Sequence, residues 1–192
     1  MLYLLGGAAR SGKSTVAHQF LAQTGTPFFC LDYLMMGVTH GATQLGVNPD
    51  EPDLHTAAKL APLIRAMAVA MIENGERYLL EGVQLQPRLV ADLCSQHPGQ
   101  VLGCFLGYAE IDTRTKVHQI RTLDGGNNDW LSEYDDQQLY EMVDGLKQVS
   151  ATLRNECQRY GLRYFETSTN HTATLDAVVA FLKASASLSA EA

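Results

Sequence analysis

The chain has 192 residues, 46% of them hydrophobic, with 21 acidic against 14 basic side chains and a formal charge of −7. That length buries one sizeable core and is short for two, and the acidic balance argues against a nucleic-acid backbone as the main partner. The four cysteines, Cys30, Cys94, Cys104 and Cys157, are dispersed with no C-x-x-C pair, no basic stretch precedes the first apolar run, and no run approaches the ~20 residues of a membrane span. These features predict a cytoplasmic protein with reduced thiols and no membrane partner.

Residues 2–5 read as a buried strand. Directly after it, Gly7-Ala8-Ala9-Arg10-Ser11-Gly12-Lys13-Ser14 matches G-x-x-x-x-G-K-[ST] in full. Small residues at that spacing let the backbone curl so that successive N–H groups face phosphate oxygens, and the helix that follows, predicted over 13–23, presents its positive end to the same anion. Lys13 supplies a point charge for the β- and γ-phosphates, Ser14 a hydroxyl for a bridging magnesium ion, and Thr15 a hydroxyl for a more proximal phosphate. Nucleoside triphosphate binding by residues 7–15 is the expectation on which the rest is built.

Residues 28–31 form a second short apolar run, with Asp32 at its carboxyl end. Ligands of open α/β sheets collect outside the carboxyl ends of the strands, so Asp32 is a candidate base for an attacking hydroxyl; the alternative is a cap on the turn that follows. Residues 37–53, with little periodicity, read as a loop or flap that carries His40 and Asn48. A helix is predicted from Leu54 to Ile72, kinked or divided at Pro62, with Lys59 and Arg65 on a solvated face or toward an acceptor.

Residues 77–83 form a third strand that ends in Glu81-Gly82. An acid there is a candidate partner of magnesium, or else a contact to the acceptor. Gln84, Gln86 and Arg88 lead into a short helix. Val101–Gly107 is a fourth continuous apolar strand, followed by a helix over 111–120 on which Arg114 and Arg121 share a face. These arginines are candidates for closing on a transferring phosphoryl group, with ordinary surface salt bridges as the competing reading. Residues 124–129 could hinge a lid. A long amphipathic helix over 132–161, a fifth strand over 162–167 with a loop at 167–170 where a base could rest, and a last helix to about 183 complete one domain over 1–183; residues 184–192 read as a frayed tail.

The phosphate loop, Asp32, the Glu81-Gly82 pair and the arginine-bearing segment, in this order, resemble the P-loop kinases of small molecules and nucleoside monophosphates. The resemblance implies an α/β, three-layer P-loop NTPase fold with a five-stranded parallel sheet of order 2-3-1-4-5, helices on both faces, magnesium-ATP as donor and a lid after the fourth strand. Leu80-Glu81-Gly82-Val83 is similar to the strand end of 2-phosphoglycerate-kinase-like proteins, and Asp32 is similar to the acid of kinases that act on alcohols. The segment from Glu81 to Arg88 keeps only the outline of the nucleoside monophosphate kinase signature, and no N-K-x-D guanine-reading motif is present. The expected function is therefore transfer of a γ-phosphoryl group to a small-molecule hydroxyl by a monomer or homodimer. The alternatives are a nucleoside monophosphate kinase and a nucleotide-dependent switch.

Overall fold

Apolar runs that alternate with longer helical segments pair in parallel, because each helix carries the chain back to the same edge of the sheet. The computed structural model describes residues 1–122 and 134–188. In chain order it has β1 (Leu2–Gly7), α1 (Lys13–Thr24), β2 (Phe28–Cys30), α2 (Leu31–Gly41), a short 3-10 turn (Thr43–Leu45), α3 (Asp53–Glu73), β3 (Tyr78–Glu81), α4 (Pro87–Gln96), β4 (Val101–Gly107), α5 (Thr113–Thr122), α6 (Asp136–Tyr160), β5 (Arg163–Glu166) and α7 (His171–Leu188). The five strands form one parallel sheet in the predicted order, β2-β3-β1-β4-β5.

The two-residue period of the strands divides the core. Leu2 and Leu4 of β1 join Leu80 and Phe105 on one face, where Leu31, Ile64, Val90 and Leu153 bring in α2, α3, α4 and α6. Tyr3 and Leu5 join Leu79, Cys104 and Leu106 on the other, against Val16 and Phe20 of α1 and Val178 and Leu182 of α7. Helices thus cover both faces, as the continuous apolar strands require. The register sets Leu5 opposite Glu81 and Glu81 opposite Cys30, so the phosphate loop, Glu81 and the start of α2 leave the sheet at one level.

Three local expectations are corrected. The predicted flap over 37–53 is partly ordered: α2 continues through Gly37 to Gly41 and the 3-10 turn follows. Leu31, Leu34, Met35 and Val38 recur at helical spacing against the core, and that packing outweighs the helix penalty of two glycines. Pro62 does not divide α3, which continues through it. The carbonyl that its ring deprives of a donor belongs to Ala58, which is exposed, so solvent can satisfy it. The last helix runs beyond 183 to Leu188. The hinge read at 124–129, and with it much of the predicted lid, lies outside the described residues, as do 189–192.

Candidate active site

The phosphate loop is held by geometry that only certain residues permit. Gly7 has φ +145° and Gly12 has φ +101°, and a Cβ on Gly7 would lie 2.3 Å from the backbone oxygen of Leu106. Arg10, at φ 57°, is the one residue other than glycine with positive φ among those described. Left-handed residues alternating with right-handed ones turn backbone N–H groups into one concavity, an anion nest. The oxygen of Ala8 closes the loop by accepting from the Ser11 N–H at 3.3 Å and from Lys13 Nζ at 2.8 Å. Inside it, the Ser11 hydroxyl is fully buried and has no partner among the described residues. Lys13 is itself buried, 7% exposed. Burial lowers its pKa, and the carboxylates of Glu81, Asp32 and Asp53 oppose that shift by favouring its charge.

Ser14, on the first turn of α1, donates its hydroxyl to Oε1 of Glu81 at 2.9 Å. Glu81 is 2% exposed, held at the end of β3 by the strands on either side. The Cys30 thiol beside it is kept protonated, its pKa pushed up to about 12 by burial and then by Glu81 and Asp32. A serine hydroxyl and a carboxylate at a phosphate loop form an all-oxygen donor pair of the kind magnesium takes, with the remaining positions left to phosphate and water. Among the described residues no three His, Cys, Asp or Glu side chains cluster as a metal cage.

Asp32 occupies the first turn of α2, where the helix dipole favours a carboxylate. Its Oδ1 accepts from Gln84 Nε2 at 2.7 Å. Gln84, 1% exposed, comes from the loop after β3, and Gly82 makes room for it: a Cβ at 82 would meet Gln84 Oε1 at 2.4 Å and Leu31 Cβ at 2.8 Å. The glycine after Glu81 therefore serves Asp32 as well as β3. Asp32, Ser14 and Glu81 line one cavity of about 430 Å³ with His18, Phe28, Phe29, Cys30 and Tyr33. Asp53, at the start of α3, adds a further charge. Although one side of it is exposed, surrounding protein raises its pKa by desolvation, Lys13 lowers it, and Asp32 raises it. Asp53 and Gln84 were not singled out for roles from the sequence, and neither occurs in a motif that could have revealed them; they are brought in by a helix start and a loop.

The cation that reaches the phosphate loop from the segment after β4 is Lys116. Its Nζ donates to the backbone oxygen of Arg10 at 2.9 Å and sits 4.1 Å above the Tyr108 ring. The Tyr108 hydroxyl donates to the oxygen of Ala9 at 2.7 Å. The two together bracket the loop where Arg10 is left-handed. Arg114 is exposed on α5. Arg121 donates to the Tyr134 oxygen at 2.5 Å and pairs with Asp136 at 3.2 Å, a contact between α5 and the start of α6. The structure thus groups residues 7–15, Asp32 and Glu81, and leaves Arg114 and Arg121 outside that group. At the 167–170 loop, both the N–H and the hydroxyl of Thr167 donate to the Gly107 oxygen, which ties β5 to the end of β4.

No family model and no curated protein matches the chain. Among solved structures, a shikimate kinase from Bacteroides thetaiotaomicron matches with a TM-score of 0.58 and 15% identity over 95% of this chain and 98% of that one. A candidate kinase from Chloroflexus aurantiacus matches with a TM-score of 0.54 and 13% identity over 95% and 93%. An uncharacterized protein from Eubacterium ventriosum matches with a TM-score of 0.53 and 14% identity over 96% and 98%. The chain shares its fold with these three proteins, and the likeness spans nearly the whole of each chain compared. At such identities the likeness defines the fold alone.

Proposed function

We propose that this protein is an ATP- and magnesium-dependent phosphotransferase that moves the γ-phosphoryl group to a hydroxyl of a small-molecule acceptor. The observation that carries the reading is the single cavity that joins Ser14 and Glu81, at the phosphate loop, to Asp32. The nest formed by residues 7–12 and the buried Lys13 hold the phosphates, and Ser14 and Glu81 hold the magnesium ion, whose charge offsets that of the phosphate oxygens. Asp32 keeps one oxygen on Gln84 and has the other for the acceptor. As the acceptor oxygen forms its bond to the γ-phosphorus and the bond to the β–γ bridging oxygen breaks, the hydroxyl proton passes to Asp32 and later to solvent. ADP and the phosphorylated acceptor leave. The shared fold with a protein named as a shikimate kinase accords with a hydroxyl acceptor.

No helix among the described residues is long and apolar enough to cross a membrane, and the four cysteines are free thiols, which supports a cytoplasmic setting. The reading is tested by Asp32→Asn. With an alcohol acceptor, kcat should fall by roughly 10²–10⁴-fold while ATP affinity holds, the range of a general acid–base group. Wild-type turnover by that variant would reduce Asp32 to a helix-terminal residue.

A further inference from the structure

The walls of the cavity carry information about the acceptor that the phosphate loop does not. On its apolar side, Phe29 and Tyr33 meet edge to face with ring centroids 6.4 Å apart, and Phe28 meets His18 in the same manner at 4.8 Å. Tyr33 is 67% exposed, and Met36, one helical turn on, is 39% exposed. Aromatic side chains exposed at the mouth of a cavity offer an apolar, stacking surface. On the polar side the charged lining groups are Asp32 and Glu81, with Asp53 close enough to act on Asp32 electrostatically.

Among the described residues, no arginine or lysine lines this space. Lys13 is turned to the Ala8 oxygen within the phosphate loop. Lys59 is held by the Gly46 oxygen and Glu51, and Arg65 by Asp92. Arg88 is exposed on α4 and is outside the lining. Residues 123–133, which lie outside the described structure, contain neither arginine nor lysine in their sequence. An acceptor bearing a carboxylate or a phosphate ester would bring its charge against Asp32 and Glu81 with no arginine or lysine among the lining residues to receive it, while Lys13, the nearby cation, is turned to the phosphate loop; in a partly desolvated space that repulsion is felt strongly.

Resting on the kinase reading, we propose that the acceptor is a hydroxyl compound with an apolar, ring-bearing body that is neutral or positively charged. Phe28, Phe29 and Tyr33 hold the body, Asp32 faces the hydroxyl, and the acidic lining attracts an ammonium group or tolerates a neutral one.

Three probes of one skeleton separate the charges: 2-amino-1-phenylethanol, 1-phenylethane-1,2-diol and mandelate, which are cationic, neutral and anionic at neutral pH. Their binding is measured calorimetrically to the intact protein loaded with magnesium and a non-hydrolysable ATP analogue, and phosphorylation is read separately by mass with magnesium-ATP. The amine and the diol should bind at least about tenfold more tightly than mandelate, with the amine's advantage shrinking as salt is raised. Tyr33→Ala should weaken both several-fold and leave nucleotide affinity unchanged. Mandelate binding as well as the amine, or no binding of any probe at millimolar concentration, would overturn the inference. Transfer to mandelate alone would overturn it while upholding a kinase, whereas charge-ranked binding without transfer to any probe would uphold the binding preference and count against the kinase reading.

Discussion

Lys116 shows how a single buried charge can report on the fold. It is 3% exposed, and burial first, then the nearby Arg10, lower its pKa from 10.5 to about 8. In the unfolded chain it holds its proton to a higher pH than in the folded one. Between about pH 8 and 10.5 the unfolded state therefore binds more protons, and on this account stability rises with pH across that window. Cys30 and Cys157, pushed from 9.0 up to about 12 by burial, act in the opposite sense above pH 9, because the unfolded thiols lose protons first. The Lys116 contribution is thus read as the difference between the wild-type protein and Lys116→Met, which keeps the apolar stem. Denaturant unfolding from pH 7 to 10 should show the wild type gaining on the variant by up to ~1.4 kcal/mol per pH unit above about pH 8. Parallel curves would show that Lys116 titrates as it would in water. His171, whose pKa is lowered by burial and by Lys116, titrates well below this window.

At the scale of elements, close approach of helix and sheet is bought with glycine at one strand position. A Cβ at Gly103 of β4 would stand 2.1 Å from Val90 Cγ1 of α4, so α4 lies directly on the strand backbone. Gly103→Ala should force Val90 out of place and cost about 1–3 kcal/mol, the usual penalty of overpacking. Val90→Ala alone removes buried contacts and also destabilises. Combined, the two changes should cost less than the sum of the single effects, because the new methyl group fills space that the lost one vacates. Strict additivity in urea titrations of the four proteins would mean that the two residues do not share that space. The same local argument explains why α2 persists through Gly37 and Gly41: a Cβ at either would meet nothing within 4 Å, so these glycines serve no close contact and the apolar stripe of α2 decides the element.

Across the whole molecule, the parallel sheet gathers charge at one edge of its strands. Lys13, Glu81, Asp32 and Asp53 influence one another electrostatically there, in a cluster that a bound phosphate and magnesium ion would complete. Ligand binding to the native state alone stabilises it by mass action, about 2.7 kcal/mol at a ligand concentration 100 times its Kd. A non-hydrolysable ATP analogue with magnesium should therefore raise the Tm of the wild-type protein by several degrees. Lys13→Ala should fold to the same circular dichroism spectrum, since it removes a cation whose burial is itself unfavourable, and should lose most of that rise in Tm. An undiminished rise in the variant would remove Lys13 from the phosphate site.

The phosphate loop and the strand order were legible in the chain because both are local signals: glycine spacing fixes which backbone conformations the loop can adopt, and short apolar runs separated by helices leave few ways to pair in parallel. Asp32 and Glu81 were legible for a related reason, each being a polar residue that ends an apolar run. What the tertiary structure decided was every relation between side chains distant in sequence. Gln84 meets Asp32 across 52 positions and Lys116 meets Arg10 across 106, and neither pairing has a sequence period or motif to announce it. The phosphate-loop motif places Lys13 in the loop but does not announce that it is buried, since its exposure depends on neighbours that only folding assembles. Arg114 and Arg121 looked alike on one helix, yet Arg121 is held by the start of α6 while Lys116, between them, turns inward to the phosphate loop. Helical spacing tells which residues share a face; the packing of α5 against α6 and the loop decides what that face meets.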